Sequence, residues 1–287
     1  MRGACFSNSF NAPTLIKPSR VSNHDLSFSP DTSDCELVQG LFQRPLLSIV
    51  LPSRYEWDEH MIGDLPFWIS ALFLATAFAT IIGVVIAAGS RAFFVAILIW
   101  FAVQAALGYF GFYHETSHMP PRLLLFGALP CMVCIAGCFF TRRGRRFVDS
   151  VDLRALTWLH TIRIPVEITL WCLVQHQLLN ESMSIGGTNF DILSGLSAPV
   201  VAYLAFRTSK VNRPLLLVWN IASLLLLLNV VVTAALGIPS PIQLHAFDQP
   251  NIAVLYFPFN LLPAMVVPLV LFAHLVALRK LWGMERR

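Results

Sequence analysis

Charge is scarce in this chain. Asp, Glu, Lys and Arg together make up 13% of its 287 residues, against about a quarter in an ordinary soluble domain. A water-soluble fold of this size would expose far more charge, so that class is set aside. Alternating apolar segments of about ten residues, which the strands of a membrane barrel need, are also missing. The six cysteines are scattered and supply no disulfide framework. No nucleotide, kinase or transporter signature is present, and nothing in the composition asks for a cofactor. The net charge of +4 comes from a few short basic connections and is not a nucleic-acid footprint.

Apolar runs are what the chain has: 56% of its residues are hydrophobic and its mean hydropathy is +0.66. Seven runs stand out, Leu65–Gly89, Ala92–Tyr113, Leu123–Phe140, Ala155–Val174, Phe190–Phe206, Pro214–Leu236 and Ile252–Leu278. Each meets or nearly meets the roughly 17–25 residues that cross a hydrocarbon core as a helix. The expectation is an all-α polytopic membrane protein, a bundle of seven transmembrane helices with the lipid bilayer as its first partner. Arg142, Arg143, Arg145, Arg146 and Arg154 crowd the third connection, Arg207, Lys210 and Arg213 the fifth, and Arg279, Lys280, Arg286 and Arg287 the C-terminus. Connections 176–189 and 237–251 hold no Lys or Arg. The positive-inside rule then predicts an N-out, C-in topology. Arg142–Arg146 could also attract anionic lipid head groups.

Residues 1–60 are rich in Ser, Pro, Asn and Asp, with one brief apolar run, Leu46–Leu51. They read as a disordered N-terminal tail, without the basic and apolar regions of a secretory signal. Met61, four residues before the first run, is the expected start of the membrane domain 61–287 and a candidate true initiator.

The fourth run carries His160, Arg163 and Glu167 at i, i+3, i+7, so all three share one helix face. Charges at bilayer depth need a partner or water, and they mark working sites. Arg163 and Glu167, one turn apart, are expected to pair. Pro165 lies between them and displaces the carbonyl of Thr161, which predicts a kink. Counted from the cytoplasmic ends, Asn220 and His274 reach the level of His160 and Arg163, while Gln104, Asn229 and Asn260 reach that of Glu167. These eight residues are the expected polar core. It serves either as an ion pair with amide bonds that hold helices together, each contact contributing about 0.6–2 kcal/mol, or as a path for a small solute or proton, with Glu167 titrating and Arg163 as counter-ion. Pro258, Pro263 and Pro268 in the seventh run free carbonyls near Val254, Phe259 and Ala264. Backbone of that kind survives at depth only inside protein or along a cavity.

Three further motifs admit two readings each. His114-Glu115-Thr116-Ser117-His118 matches H-E-x-x-H, in which two histidines bind zinc and the glutamate acts as base. It ends at Met119-Pro120-Pro121, leaving at most one helical turn, and a third ligand would have to come from His176, Asp191, His245 or Asp248. Its other reading is a polar interfacial loop. Cys131, Cys134 and Cys138 share a face with Gly127, as a metal cluster or as small residues for close helix packing. Asn189 and Asp191 open the fifth run, as an N-cap and a first-turn acid favoured by the helix dipole; the other reading has Asp191 facing the outer side, where a substrate would enter. Tyr109, Tyr113, Trp158, Trp219 and Trp282 fall near run ends, as an interfacial aromatic belt would.

Arg163–Glu167 (RIPVE), Asn189–Pro199 (NFDILSGLSAP) and Asn251–Leu281 resemble a group of uncharacterised bacterial multi-pass membrane proteins. The resemblance spans about Met61 to Leu281 and implies a bacterial inner-membrane location, with no activity to carry over. The seventh run has no lysine before Lys280, against a retinal protein. Three functions are therefore carried forward. They are small-solute or proton-coupled transport, a non-catalytic membrane protein that binds or assembles a partner, and an outer-face zinc enzyme using the HETSH segment.

Overall fold

The computed structural model describes residues 63–284. The expected tail of residues 1–60 lies outside them. Every regular element among the described residues is helical, and no strand occurs among them. Helix α1, Phe67–Ala88, stops at Gly89, whose φ of 61° is left-handed and whose N–H returns to the Val85 carbonyl. One residue later the Ser90 hydroxyl caps α2, Arg91–Tyr109, by accepting from the Phe93 N–H. A π turn at Leu123–Ala128 leads into α3, Leu129–Phe140. Thr141 then caps a short basic helix, α4, Arg142–Ser150.

The fourth apolar run is built in three pieces: α5, Leu153–Leu159, a 3-10 turn at His160–Ile162, and α6, Arg163–Gln175. The tightened turn is the physical form of the kink expected from Pro165, which cannot donate to the carbonyl of Thr161. Helix α7, Ile192–Phe206, is short, whereas α8, Arg213–Leu236, and the last segment, Leu262–Gly283, are long. That last segment is a π turn at Leu262–Val266 continuing as α9, Val267–Gly283.

Five of these stretches are long and apolar enough to cross a membrane: Phe67–Ala88, Arg91–Tyr109, Leu123–Phe140, Arg213–Leu236 and Leu262–Gly283. The last is the most buried of the five, and α9 packs against α1, α3, α4, α5 and α8. It is the hub of the bundle. One expectation needs correction here. Ile252–Leu278 is not a single helix, because Ala253–Leu255 is a 3-10 turn and helix proper begins only at Leu262. The irregular part is nonetheless buried from Asn251 to Leu255. Its backbone finds partners in the protein, with Ala253 N–H on the Leu178 carbonyl (3.0 Å) and Asn251 N–H on that of Gly237 (2.8 Å), as buried backbone must.

Candidate functional site

Arg163 is the centre of the site. It begins α6, is 2% exposed, and its guanidinium reaches three neighbours. Nη1 donates to Asp191 Oδ1 at 2.8 Å and to the Ser223 carbonyl of α8 at 3.2 Å, and Nη2 lies 2.8 Å from His274 Nε2 on α9. A guanidinium only donates, so His274 Nε2 accepts. Its Nδ1 therefore carries the proton and donates to Asn220 Oδ1 at 3.0 Å, while Asn220 Nδ2 donates to the Leu216 carbonyl at 2.8 Å. The chain of bonds thus assigns His274 as a neutral imidazole protonated on Nδ1. His160 stacks on it with ring centroids 4.1 Å apart, and Trp219 meets His160 edge-on at 5.2 Å.

The expected pairing of Arg163 with Glu167 is corrected by these contacts. The ion pair of Arg163 is with Asp191, on the segment leading into α7. Glu167 instead accepts from Asn189 Nδ2, at 2.9 and 2.8 Å to its two oxygens. Asn189 also donates to the Met183 carbonyl at 3.0 Å and accepts the Asp191 N–H at 2.9 Å. Asn189 therefore ties the carboxylate of Glu167 to the backbone of Asp191. Asp191 stands at the N-terminus of α7, where the helix dipole favours its carboxylate; it takes the cap position expected of Asn189, and its side chain makes no cap bond but pairs with Arg163. Gly195, one turn further along α7, makes the approach feasible. A Cβ there would stand 3.0 Å from Ile164 and 3.2 Å from Arg163 Cβ.

Of the eight residues expected in one polar core, five meet here: His160, Arg163, Glu167, Asn220 and His274. Gln104 and Asn260 form a separate cluster with Tyr113. Tyr113 donates to Gln104 Oε1 at 2.5 Å, Gln104 Nε2 to the Phe126 carbonyl at 3.0 Å, and Asn260 Nδ2 to the Gln104 carbonyl at 2.8 Å. Asn229 is exposed and donates to the Thr188 carbonyl at 2.9 Å. Helix-depth counting orders residues along the axis but ignores which way each helix faces, and these three diverge for that reason. Tyr113 and Trp219 are likewise buried and not part of a belt, unlike exposed Tyr109, Trp158 and Trp282. Asp191, Asn189 and the Ser223 carbonyl belong to the site although the expected polar core left them out. The available signal was an acid at the very start of an apolar run, while the carbonyl leaves no trace in sequence.

The HETSH segment lies beyond the end of α2, on irregular backbone and not on a helix. His114 packs on Tyr256 with ring centroids 3.9 Å apart. Glu115 accepts from both the N–H and the hydroxyl of Ser117, which together hold its carboxyl below the usual glutamate range. The one-turn spacing that brings two histidines to one metal is therefore absent, and no group of three or more His, Cys, Asp or Glu able to hold a metal occurs among the described residues. Of the expected third ligands, Asp191 holds Arg163, while His176 and His245 bond the carbonyls of Cys172 and Thr233. On α3, Cys131 points its thiol at the Ala264 carbonyl (3.2 Å), and a Cβ on Gly127 would lie 3.2 Å from that of Ala264. These small residues let the two π turns pack closely.

Four buried polar atoms around the ion pair have no hydrogen-bond partner: Arg163 Nε, His160 Nδ1, Thr161 Oγ1 and Ser194 Oγ. They sit on the Arg163 turn and on the first turn of α7. The site thus holds two carboxylates, one guanidinium, two stacked imidazoles and unused donors and acceptors.

The chain belongs to the family described as a domain of unknown function (DUF8737), whose model matches residues 120–282. The matched stretch runs from the turn before α3 nearly to the end of α9 and holds every residue of the Arg163 cluster, but not Gln104. No curated protein and no solved structure matches the chain.

Proposed function

We propose that this is a seven-crossing protein of the bacterial inner membrane, N-out and C-in, that moves a small polar solute coupled to protons through the Arg163 site. The five long apolar helices supply most of the crossings. The Leu153–Gln175 stretch and the short α7 supply the other two. The basic residues on the α3–α5 connection, the α7–α8 connection and the C-terminus favour one side as cytoplasmic.

The observation that carries the transport reading is the composition of the buried cluster. Two buried carboxylates share the cluster with one guanidinium, Asp191 paired with it and Glu167 held by Asn189, so the cluster reaches neutrality with one bound proton, and burial favours neutrality. The unpartnered atoms on Arg163, His160, Thr161 and Ser194 offer a polar solute the bonds that hydrocarbon cannot. Helix α7 starts at this cluster, directing its positive end toward it, as interrupted helices do at transporter sites.

The competing reading is a partner-binding protein whose ionic cluster only fastens helices. The bonding of both terminal nitrogens of Arg163 favours it. Glu167→Gln separates the two, because it keeps the shape and removes the titrating group. Transport requires that the variant accumulate in membranes like the wild type and fail to rescue a deletion phenotype. Full rescue sinks the transport reading, and failure to accumulate transfers the case to the structural one.

A further inference from the structure

A second feature lies away from the Arg163 site. A cavity of about 310 Å³ runs between α2, α3 and α9, walled by Phe93, Ala96, Trp100, Cys134, Cys138 and Phe272 among other apolar side chains. That volume reaches the roughly 300 Å³ at which ligand pockets begin. Ala96 and Cys134 are exposed, so the slot opens to the side of the bundle. From Phe93 to Trp100 it extends about 10 Å along the helix axis, as an acyl chain would lie. Helix α4 packs against lining residues at one end. Its Phe147 ring sits 5.0 Å from that of Phe93 and 6.3 Å from that of Phe272, and its Gly144 presses on the backbone of Cys138.

Helix α4 carries Arg142, Arg143, Arg145 and Arg146, all exposed. Its only acid, Asp149, is held by Arg279 at 2.9 Å. Four like charges on one short helix repel one another, and an anion placed among them is favoured. A basic cluster that served only to fix topology would need no apolar slot beside it. We infer that this is a binding site for one anionic phospholipid, with an acyl chain in the slot and the phosphate on the arginines of α4. The inference rests on the membrane reading above but not on transport.

The full chain, purified in neutral detergent and stripped of lipid, is titrated with dioleoylphosphatidylglycerol or dioleoylphosphatidylcholine, and bound lipid is counted by native mass spectrometry. Phosphatidylglycerol should bind at the lower concentration. Arg143→Gln with Arg146→Gln, which leaves Arg142 and Arg145 to hold topology, should weaken it roughly 25-fold, at about five-fold per arginine. Ala96→Trp, which fills the slot, should weaken both lipids with helical content unchanged. Equal affinity for the two lipids, or unchanged binding by a folded Ala96→Trp, overturns the inference. Release of the protein from membranes by alkaline carbonate would sink the membrane reading together with it. Retention there with equal lipid affinities sinks the lipid site alone.

Discussion

Removing the charge of Asp191 should cost far more than removing that of Glu167, and the difference tests the central geometry. In Asp191→Asn the guanidinium keeps the Ser223 carbonyl and the His274 imidazole, both neutral, and loses its ionic contact with the carboxylate, at 2.8 Å. Breaking a buried pair from one side leaves an uncompensated charge and costs about 3–5 kcal/mol. At roughly 2–4 °C per kcal/mol, that lowers Tm by about 6–20 °C. Glu167→Gln leaves Asn189 beside an uncharged acceptor of the same shape, so its cost should be that of one hydrogen bond, about 1 kcal/mol. The decisive measurement is a double-mutant cycle on detergent-solubilised protein, followed by thermal unfolding. Arg163→Leu with Asp191→Leu should be less destabilised than the sum of the singles, with a coupling near 1–3 kcal/mol. Arg163→Leu with Glu167→Leu should come closer to additive. Stronger coupling to Glu167 than to Asp191 would refute the assignment of the pair and restore the one-turn pairing suggested by sequence spacing.

Gly195→Val has no room beside Ile164 and Arg163, so it should destabilise by about 1–3 kcal/mol, and thermal unfolding equal to wild type would contradict the close approach of α7. Trp100→Phe removes the indole bond to the Ala264 carbonyl (2.8 Å) but leaves the Cys131 thiol there, so it should cost about 0.6–2 kcal/mol. Adding Cys131→Ala should cost more than Cys131→Ala does alone, read by the same melting assay. Glu115 should titrate below the ordinary glutamate value because Ser117 bonds its charged form. Whatever it adds to stability is present above that value and fades as pH falls through its lower folded value. Ser117→Ala should return its titration, followed by carboxyl NMR on isotope-labelled protein, to the ordinary range.

The long apolar helices were legible because hydropathy over some twenty residues needs no knowledge of neighbours. Phe67–Ala88 and Leu123–Phe140 fall almost where the runs place them. Residues 252–261 were not legible in the same way. Hydropathy scores side chains, and a buried irregular segment looks as apolar as a helix, although Pro258 and Pro263 were the warning. The partner of Arg163 was hidden for a related reason. Spacing within one helix names candidates on that helix only, whereas a guanidinium at the end of a long side chain reaches across to α7, α8 and α9. The balance of two acids against one arginine is visible in sequence, but only after Asp191 is known to lie inside.

The residues misassigned to the polar core show what a buried amide in an apolar helix can be for. Pro130 has no N–H for the carbonyl of Phe126, and Pro268 has none for that of Ala264. The first carbonyl is met by Gln104 Nε2, the second by Trp100 Nε1 with the Cys131 thiol. Trp100 and Gln104 stand one turn apart on α2, so a single face of that helix serves both carbonyls that lose their helical donors. Gly108, a further turn along, leaves space for the Asn260 side chain that bonds the backbone of Gln104. The polarity of this face therefore answers to prolines on neighbouring segments and not to a solute. The Arg163 cluster has no such account, since its charges exceed anything the backbone around them requires, and function is to be sought there.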